Sequence, residues 1–494
     1  MNRKLAIAMA VTGLAVTALV APLLTLRATY GARTTADEPQ YLLTAISLGE
    51  DQSLDISDEL ADERSRDFHE ATLPVQTEVQ DDGSQVSPHD PLLPLYLAVP
   101  VLLGGWVGAK LALAALAGAL ASAMVWVAVR RFAVPLGVAL LTVACFSLTA
   151  PLALYGVQIY PELPAALAVT IAVGALTGAL RTRGLVVLGA AVVALPWLSV
   201  KYLPVAAALV LVGVVRLWMR GDRRTVAGLL AALGGAGLLY AGLHLLWYGG
   251  WTVYAAGDHF AGGELTVAGS DPNYLGRARR LSGLFTDRGF GLAAWQPAFL
   301  LAVPAVVALL RRRPAGWLAL FLPLAAGWLT ATFVALTMHG YWWPGRQTVV
   351  ILPTLVLAVS WWAARSQPAR VLVGAGIAVG VFMLAWLAVE TWTGGIRLII
   401  DFESTTNPIY RLWRVVLPDD RLEPAGTELL RALWLAVLGG LAAWGWRSGR
   451  TETRKEVTTW LANPSDSSRS LPARSPSHSR PPAVATTTAR MSAP

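Results

Sequence analysis

Long apolar runs alternate with polar segments along this chain of 494 residues. The runs are about 17 to 25 residues long, and a helix needs roughly 20 apolar residues to cross a hydrocarbon core about 30 Å thick. Each run therefore predicts a membrane-spanning helix. The predicted spans are residues 5–26, 111–129, 133–150, 162–180, 184–199, 202–219, 226–248, 292–310, 315–338, 348–364, 371–393 and 428–446.

The segment from Leu92 to Gly108 is the exception among the apolar runs. It is apolar enough to cross a membrane, but it contains Pro94 and Pro100. A further crossing there would also place Arg130 and Arg131 on the outer side. We interpret the segment as re-entrant or as lying on the membrane surface, which leaves about twelve crossings and both termini on one side.

Composition agrees with this pattern. Hydrophobic residues make up 55% of the chain and charged residues 14%, as expected for an all-α polytopic membrane protein. The formal net charge is +8, but much of it comes from arginines at the ends of predicted spans, so no nucleic-acid partner is expected. The single cysteine, Cys145, has no partner for a disulfide within the chain.

Arginine clusters predict the orientation, because short cytoplasmic loops are enriched in basic residues. The N-terminal apolar stretch is longer than the core of a signal peptide, so we interpret it as a retained helix. Both termini are then expected in the cytoplasm, with the protein in the plasma membrane and its active site outside. The clusters are Arg130–Arg131, Arg181 with Arg183, Arg216 to Arg224, Arg311 to Arg313, Arg365 with Arg370, and Arg447 to Lys455.

This orientation divides the chain into four regions. Residues 1–30 are the first transmembrane helix, and residues 31–110 are a long extracytoplasmic loop with re-entrant or juxtamembrane segments. Within that loop, residues 31–90 carry 15 of the 31 acidic residues of the chain. Residues 111–446 are the transmembrane helical domain. Residues 447–494, rich in Ser, Pro, Thr and Arg, are expected to be a disordered cytoplasmic tail.

Two adjacent carboxylates, Asp37 and Glu38, stand about ten residues beyond the first predicted span. One interpretation is a helix start, with Asp37 as the N-cap and Pro39 in the first turn. The other is chemical, because a membrane enzyme with a lipid-linked substrate needs its acids where a helix meets the aqueous face. The two interpretations are compatible, since a capped helix would hold both acids rigidly.

Basic and aromatic residues in the other outer segments are candidates for binding a phosphate or a sugar. Arg346, at the end of the segment His339–Arg346, can make a two-pronged contact with a lipid phosphate. The Trp and Tyr residues of that segment can stack on a sugar or anchor the chain at the membrane interface. Lys201 offers a second positive charge or a snorkelling anchor. Glu162 fits a helix N-terminus or a contact with a sugar hydroxyl.

Two histidines of the acidic loop, His69 and His89, raise the question of a divalent cation. Many acids are near them in sequence, but no recognised spacing of metal ligands is present. The sequence therefore leaves a divalent cation open.

Several short motifs resemble, in this order, those of actinobacterial multi-pass membrane proteins of the GT-C glycosyltransferase class. That class includes the protein O-mannosyltransferases, the aminoarabinose transferases and the arabinosyl- and mannosyltransferases of mycobacterial envelopes. The resemblance covers about residues 1–446. The motifs are Asp37 to Leu42, Ser87 to Pro94, Tyr160 to Pro164 and Pro344 to Arg346, and Gly283 to Leu292 fits the same pattern.

The resemblance implies a GT-C-like fold, a sugar donor on a polyprenyl phosphate, and an acceptor that is a glycan, a lipid or a protein. It makes Asp37 the catalytic base and Glu38 its catalytic neighbour. Direct attack on the donor inverts the anomeric carbon, so an inverting hexosyl- or pentosyltransferase is expected. The residues expected to bind substrate are Tyr41, His89, Asp90, Tyr160, Glu162, Lys201, Tyr202, Asp287, Arg288, His339, Tyr341, Trp342, Trp343 and Arg346.

Two other functions stay open on the sequence. A transporter or flippase of a lipid-linked or small envelope precursor fits the number of helices, but the sequence shows no internal repeat and no pair of interrupted helices. A non-catalytic envelope-assembly protein with the same fold would keep the same phosphate-binding residues, because binding the donor and transferring its sugar use one set of groups.

Overall fold

α-Helices account for almost all of the regular structure. Within the described residues the extended pairings are three isolated β-bridges, so the all-α fold expected from the sequence is confirmed there. The predicted disordered tail falls outside the described residues, apart from Arg447 and Ser448. The computed structural model describes residues 2–29, 32–73, 76–257, 273–421 and 425–448.

The helices are numbered in chain order. The first ten are α1 (Arg3–Val20), α2 (Glu38–Glu50), α3 (Ser57–Ala61), α4 (Leu92–Arg131), α5 (Leu136–Ser147), α6 (Leu152–Tyr155), α7 (Glu162–Leu176), α8 (Thr182–Leu198), α9 (Leu203–Met219) and α10 (Arg223–Tyr248). The others in the described residues are α11 (Tyr274–Arg277), α12 (Arg280–Thr286), α13 (Leu292–Trp295), α14 (Ala302–Arg312), α15 (Trp317–Leu329), α16 (Leu352–Ala363), α17 (Gln367–Trp392), α18 (Pro408–Trp413) and α19 (Ala425–Ser448).

Short 3₁₀ or π-helical turns extend several of these helices. They are Ala21–Thr25 after α1, Val200–Tyr202 before α9, Val253–Ala256 after α10, Pro297–Leu301 before α14, Thr330–Val334 after α15 and Arg346–Ile351 before α16.

Each predicted span coincides with one helix or with consecutive helices. By length and composition, eight helical segments of the described chain can cross a membrane; they contain α1, α4, α9, α10, α15, α16, α17 and α19. Helices α5, α7 and α8 are apolar but shorter. The structure therefore supports a polytopic membrane protein, while the count of about twelve crossings and the orientation stay predictions.

Helix α4 is a helical hairpin, because the chain reverses at Gly104 and Gly105, where the backbone is not helical. The Tyr96 hydroxyl donates to the carbonyl oxygen of Ala112 at 3.3 Å, although sixteen residues of straight helix extend about 24 Å. The segment before the turn therefore folds back along the segment after it. Whether this hairpin enters the membrane stays a prediction. The segment after the turn includes Lys110, one residue before the predicted span 111–129.

Helix α16 forms the centre of the bundle, and all twelve of its residues are buried. Helices α4, α5, α7, α14 and α15 pack around it. Three helices begin at the face that the first loop covers, which we call the loop face. They are α7, α9 and α16, and each carries a predicted site residue in its first or preceding turn.

The first loop is folded over the helix ends. Helix α2 packs on α4, and ten of its thirteen residues are buried. Asp55 joins distant parts of the loop, because its Oδ1 accepts hydrogen bonds from the backbone N–H of Ser57 at 3.0 Å and of Gln85 at 2.8 Å. The loop thus holds the first residue of α2, and Asp37 before it, against the bundle.

Candidate active site

Four charged side chains from separate parts of the chain meet at the loop face. Arg346 donates from Nη2 to Asp37 Oδ2 at 2.6 Å and from Nε to Glu162 Oε1 at 2.9 Å. Lys201 Nζ donates to the same Glu162 oxygen at 2.7 Å. The result is a continuous chain of ion pairs from Asp37 through Arg346 and Glu162 to Lys201. Its two formal negative and two formal positive charges cancel, and we call it the ion chain.

Arg346 is placed by the backbone that precedes it. Gly345 has a φ of 88°, and a Cβ atom there would lie 2.9 Å from a Leu292 side-chain carbon, so this position requires glycine. The guanidinium carbon then lies 4.0 Å from the ring centre of Tyr160 and 4.9 Å from that of Trp342. Two aromatic rings and two carboxylates therefore fix its orientation.

Asp37 occupies the N-cap position of α2, but its side chain makes no capping hydrogen bond. The interpretation of Asp37 as a side-chain cap is therefore wrong. Ala36 before it has a φ of 48°, a conformation that non-glycine residues seldom adopt, and the carboxylate faces Arg346. Burial favours the neutral acid, but the charge of Arg346 outweighs it and holds the pKa of Asp37 well below its usual range. The Asp37 side chain is 24% exposed, so the ionised carboxylate is partly accessible to solvent.

Glu38 faces the protein interior and does not serve as a second carboxylate beside Asp37. Its two oxygens accept hydrogen bonds from the backbone N–H of Thr35 at 3.2 Å and of Ile159 at 2.9 Å. Burial raises the pKa of this carboxyl. The hydroxyl of Tyr160 donates to the Thr35 carbonyl at 3.1 Å. Glu38 thus fastens the segment that carries Asp37 in this structure, and its catalytic role stays a prediction.

His89 lies beside Asp37, with its Nε2 3.8 Å from Asp37 Oδ2. Its ring centre is 4.5 Å from that of Tyr41, and its Nδ1 lies 2.8 Å from the Ser87 hydroxyl. His69 instead contacts Thr34. The two histidines thus make separate contacts, and a divalent cation beside them stays a prediction.

Asp90, predicted to bind substrate, hydrogen-bonds to residues outside the ion chain. Its Oδ1 accepts from the Tyr240 hydroxyl at 2.8 Å and lies 3.2 Å from His244 Nε2, while its Oδ2 accepts from the Val200 backbone N–H at 3.0 Å. With both oxygens occupied and the side chain buried, Asp90 joins α10 to the turn that carries Lys201. Asp90 thus has a structural role here, and its contact with substrate stays a prediction.

A second network contains three more of the predicted residues. Asp287 Oδ1 accepts from the backbone N–H of Gly289 and Phe290 at 3.0 and 2.6 Å, and Oδ2 accepts from that of Asp420 at 2.8 Å. His339 Nε2 lies 3.7 Å from Asp287, and Arg288 pairs with Asp419 at 3.5 Å. Asp287, Arg288 and His339 thus belong to a network separate from the ion chain, and their contact with substrate stays a prediction.

The aromatic candidates divide by burial. Trp343 is fully buried against Trp295, with ring centres 5.0 Å apart, so it packs in the core here, and its contact with a sugar stays a prediction. Tyr160 and Tyr202 are also buried and form the floor beneath the ion chain. Tyr341 is 68% exposed and suits an interfacial anchor.

Two residues near the site were not predicted from the sequence. Lys110 is buried near Glu38, where its charge only partly offsets the rise that burial causes in the Glu38 pKa, and its Nζ donates to the Arg33 carbonyl at 2.8 Å. The Tyr155 hydroxyl donates to the Trp343 carbonyl at 2.6 Å. Lys110 carried a usable signal, since it is one of only four lysines and begins an apolar run. Tyr155 carried none.

No family model matches the chain, and no curated protein matches it. Among solved structures, the crystal structure of ArnT from Cupriavidus metallidurans bound to undecaprenyl phosphate is similar, with a TM-score of 0.48 and 14% sequence identity. The likeness covers 92% of this chain and 77% of that one. At this level of similarity, no property of that protein transfers to this chain.

Proposed function

We propose that this protein is a GT-C-like membrane glycosyltransferase. It moves a sugar from a polyprenyl-phosphate donor to a hydroxyl of a glycan, lipid or protein acceptor, on the extracytoplasmic face. The observation that supports the proposal is the ion chain, in which Arg346 joins a partly exposed carboxylate, Asp37, to a second cation site at Lys201. The motif resemblance and the apolar helices that end at this face agree with it.

Glycosyl transfer from a lipid phosphate needs a base and a positively charged site for the leaving group. The acceptor oxygen forms a bond to the anomeric carbon while the bond from that carbon to the phosphate oxygen breaks. The acceptor proton passes to Asp37. Arg346 and Lys201 stabilise the charge that develops on the departing phosphate. The phosphate serves as its own leaving group, so no nucleotide is required, and direct attack inverts the anomeric carbon.

The resting ion chain gives this mechanism an order of events. A carboxylate whose pKa is held low by an arginine is a weak base. A phosphate that enters beside Lys201 competes with Asp37 for the Arg346 guanidinium, because arginine forms two-pronged contacts with phosphate. As Arg346 turns to the phosphate, Asp37 loses its strongest partner and its pKa rises. Donor binding therefore activates the base.

Donor recognition is testable before the sugar is known. Polyprenyl phosphate without sugar, added to the purified full-length protein in detergent, should raise its melting temperature. The shift should disappear in Arg346→Ala and persist in Arg370→Ala, which removes an exposed arginine at the start of α17 on the opposite face. A failure of polyprenyl phosphate to stabilise the wild-type protein at any concentration would count against the proposal.

Transfer itself is tested with a panel of synthetic polyprenyl-phosphate hexoses and pentoses and a membrane extract as acceptor. Loss of sugar from one donor, dependent on Asp37, supports a glycosyltransferase. Movement of the intact labelled donor across liposomes that contain the protein, without loss of sugar, would favour the flippase instead.

Orientation is tested with single cysteines in intact cells, since Cys145 is buried. Ser84→Cys and Thr406→Cys should react with an impermeant thiol reagent, whereas Ser468→Cys should not. Labelling of position 468 from outside would place the site on the cytoplasmic face.

A further inference from the structure

Three carboxylates of the first loop converge away from the ion chain. Asp51 follows the last turn of α2, and Asp58 and Glu59 lie in α3. One carboxylate oxygen from each lies within 4.8 Å of the others. The mechanism proposed above uses none of these residues, and helix α2 separates them from Asp37 by about 20 Å at 1.5 Å per residue.

Glu59 distinguishes this group from an ordinary exposed acidic cluster. Its side chain is only 2% exposed, and neither oxygen has a hydrogen-bond donor among the described residues. Buried carboxylates are normally paired or hydrogen-bonded.

The next basic residue along the chain, Arg64, makes its hydrogen bonds with another acid. Arg64 donates to both carboxylate oxygens of Glu50, at 3.0 and 2.9 Å. This two-pronged pair occupies the guanidinium fork of Arg64, and the Glu59 oxygens accept no hydrogen bond from it. The buried Glu59 carboxylate thus lies beside two further acids, with one oxygen of each within 4.8 Å of the others.

We propose that Asp51, Asp58 and Glu59 form a binding site for a hard divalent cation of the calcium type. Such ions take six to eight oxygen ligands at about 2.3–2.6 Å, often from carboxylates and water. Three carboxylates supply up to six oxygens, and the exposure of Asp51 and Asp58 leaves room for water to complete the shell. Contraction of the group around an ion brings the end of α2 against α3.

The expected effect of the ion is on the stability of the first loop. It replaces repulsion among three carboxylates with attraction to a common charge, and it ties the C-terminal end of α2 to the segment that follows. Because α2 begins next to Asp37, the ion fixes the far end of the helix that carries the proposed base. The site needs no donor or acceptor, so it is testable whether or not the protein transfers sugar.

The experiment uses the purified full-length protein, stripped with EDTA and titrated with CaCl₂ while its melting temperature is followed. The wild-type protein should become more stable with a saturable dependence on Ca²⁺, and Mg²⁺ should act more weakly. Glu59→Gln keeps the shape but removes the buried charge, and should weaken the Ca²⁺ midpoint at least about tenfold. Asp62→Asn, which removes a neighbouring exposed acid outside the group, should leave the midpoint unchanged.

A second measurement covers the case in which a variant folds poorly. Terbium luminescence, excited through the aromatic residues of the folded protein, should appear in the wild type and be displaced by Ca²⁺. Asp51→Asn should reduce the terbium luminescence by about the same factor by which it weakens Ca²⁺ binding in the thermal titration. If Glu59 instead shares a proton with Asp58, Ca²⁺ will not raise the melting temperature of the wild type. The Glu59→Gln variant will then show the same lack of response to Ca²⁺. Either of those results overturns the cation site.

Discussion

Asp37 and Asp287 are both acids of the loop face, yet the structure surrounds them differently. Asp287 is fully buried, and three backbone N–H groups occupy its two oxygens. Asp37 is a quarter exposed and faces the side chain of Arg346. Backbone donors cannot leave without unfolding the loop, whereas a guanidinium can turn to another anion. An acid held by backbone amides therefore fixes a fold, whereas an acid held by a side chain can lose that partner to a competing anion.

The sharpest test of this contrast replaces each acid by its amide. Asp37→Asn should reduce kcat by about 10²–10⁴-fold, the usual contribution of a general base, while the melting temperature stays close to that of the wild type. It should also tighten the binding of polyprenyl phosphate, since Arg346 no longer has a competing carboxylate. A purely structural Asp37 would not separate kcat from binding in this way.

Asp287→Asn should do the reverse. The amide presents an N–H₂ group to one of the backbone donors, which costs about 1–3 kcal/mol for an unsatisfied buried group. We expect a lower melting temperature and normal kcat per folded molecule, measured by active-site titration with the donor. Full activity in Asp37→Asn would contradict the role of Asp37 as the base. Loss of activity in a well-folded Asp287→Asn would contradict the purely structural role of Asp287.

Arg346 should show the next largest effect. Arg346→Ala leaves Asp37 and Glu162 without their shared partner, and the loss of one partner from a buried pair costs about 3–5 kcal/mol. Transfer should fall to nearly nothing. Arg346→Lys keeps the charge but loses the planar fork, so it should raise the donor KM and retain part of kcat. Lys201→Ala should raise the donor KM by less, because Arg346 still contacts Glu162.

A glycine comparison separates the placement of Arg346 from general strain. Gly345 and Gly394 both have a positive φ, of 88° and 77°, but a Cβ atom would meet neighbours only at Gly345. Both alanine variants should lose about 1 kcal/mol from the backbone conformation. Only Gly345→Ala should also raise the donor KM, because the clash with Leu292 displaces Arg346. Equal donor KM values in the two variants would contradict the role of Gly345.

The pH profile gives the smallest expected effect. Arg346 depresses the pKa of Asp37 in the free protein. Because kcat/KM follows the free protein, it should stay constant on the acid side and fall only well below pH 4. In the donor complex the phosphate shares Arg346, so the acid limb of kcat should lie at higher pH. The ion pair also contributes stability above the ordinary carboxyl pKa, and that part is lost as pH falls through the depressed one. If kcat and kcat/KM instead fell at the same pH, the pairing of Arg346 with Asp37 would be unchanged by donor binding.

The sequence predicted the helices well, since an apolar run of spanning length is a local signal. It also selected Asp37, Glu162, Lys201 and Arg346, because polar residues at helix ends near one face are few in such a chain. It did not show that these four contact one another, since Asp37 and Arg346 are 309 residues apart.

The sequence was less informative where a position along the chain does not fix the direction of a side chain in space. Adjacent residues of a helix start point to different sides, so Asp37 faces Arg346 while Glu38 faces backbone amides. Asp287 and Asp90 lie at the predicted face but are occupied by partners from remote segments. Lys110 was overlooked because its position depends on the reversal at Gly104 and Gly105, which periodicity does not reveal.

The pairing of Asp37 with Arg346 also bears on how a reaction cycle would end. The donor is a phosphate diester with one negative charge, whereas the released polyprenyl phosphate is a monoester with up to two near neutral pH. The product therefore binds the cations more strongly than the substrate did, and a protonated Asp37 no longer competes with it. Once Asp37 loses that proton to water, its carboxylate reclaims Arg346 and expels the lipid. Turnover would then be limited by proton departure and product release, which a solvent isotope effect on kcat without one on a single turnover would reveal.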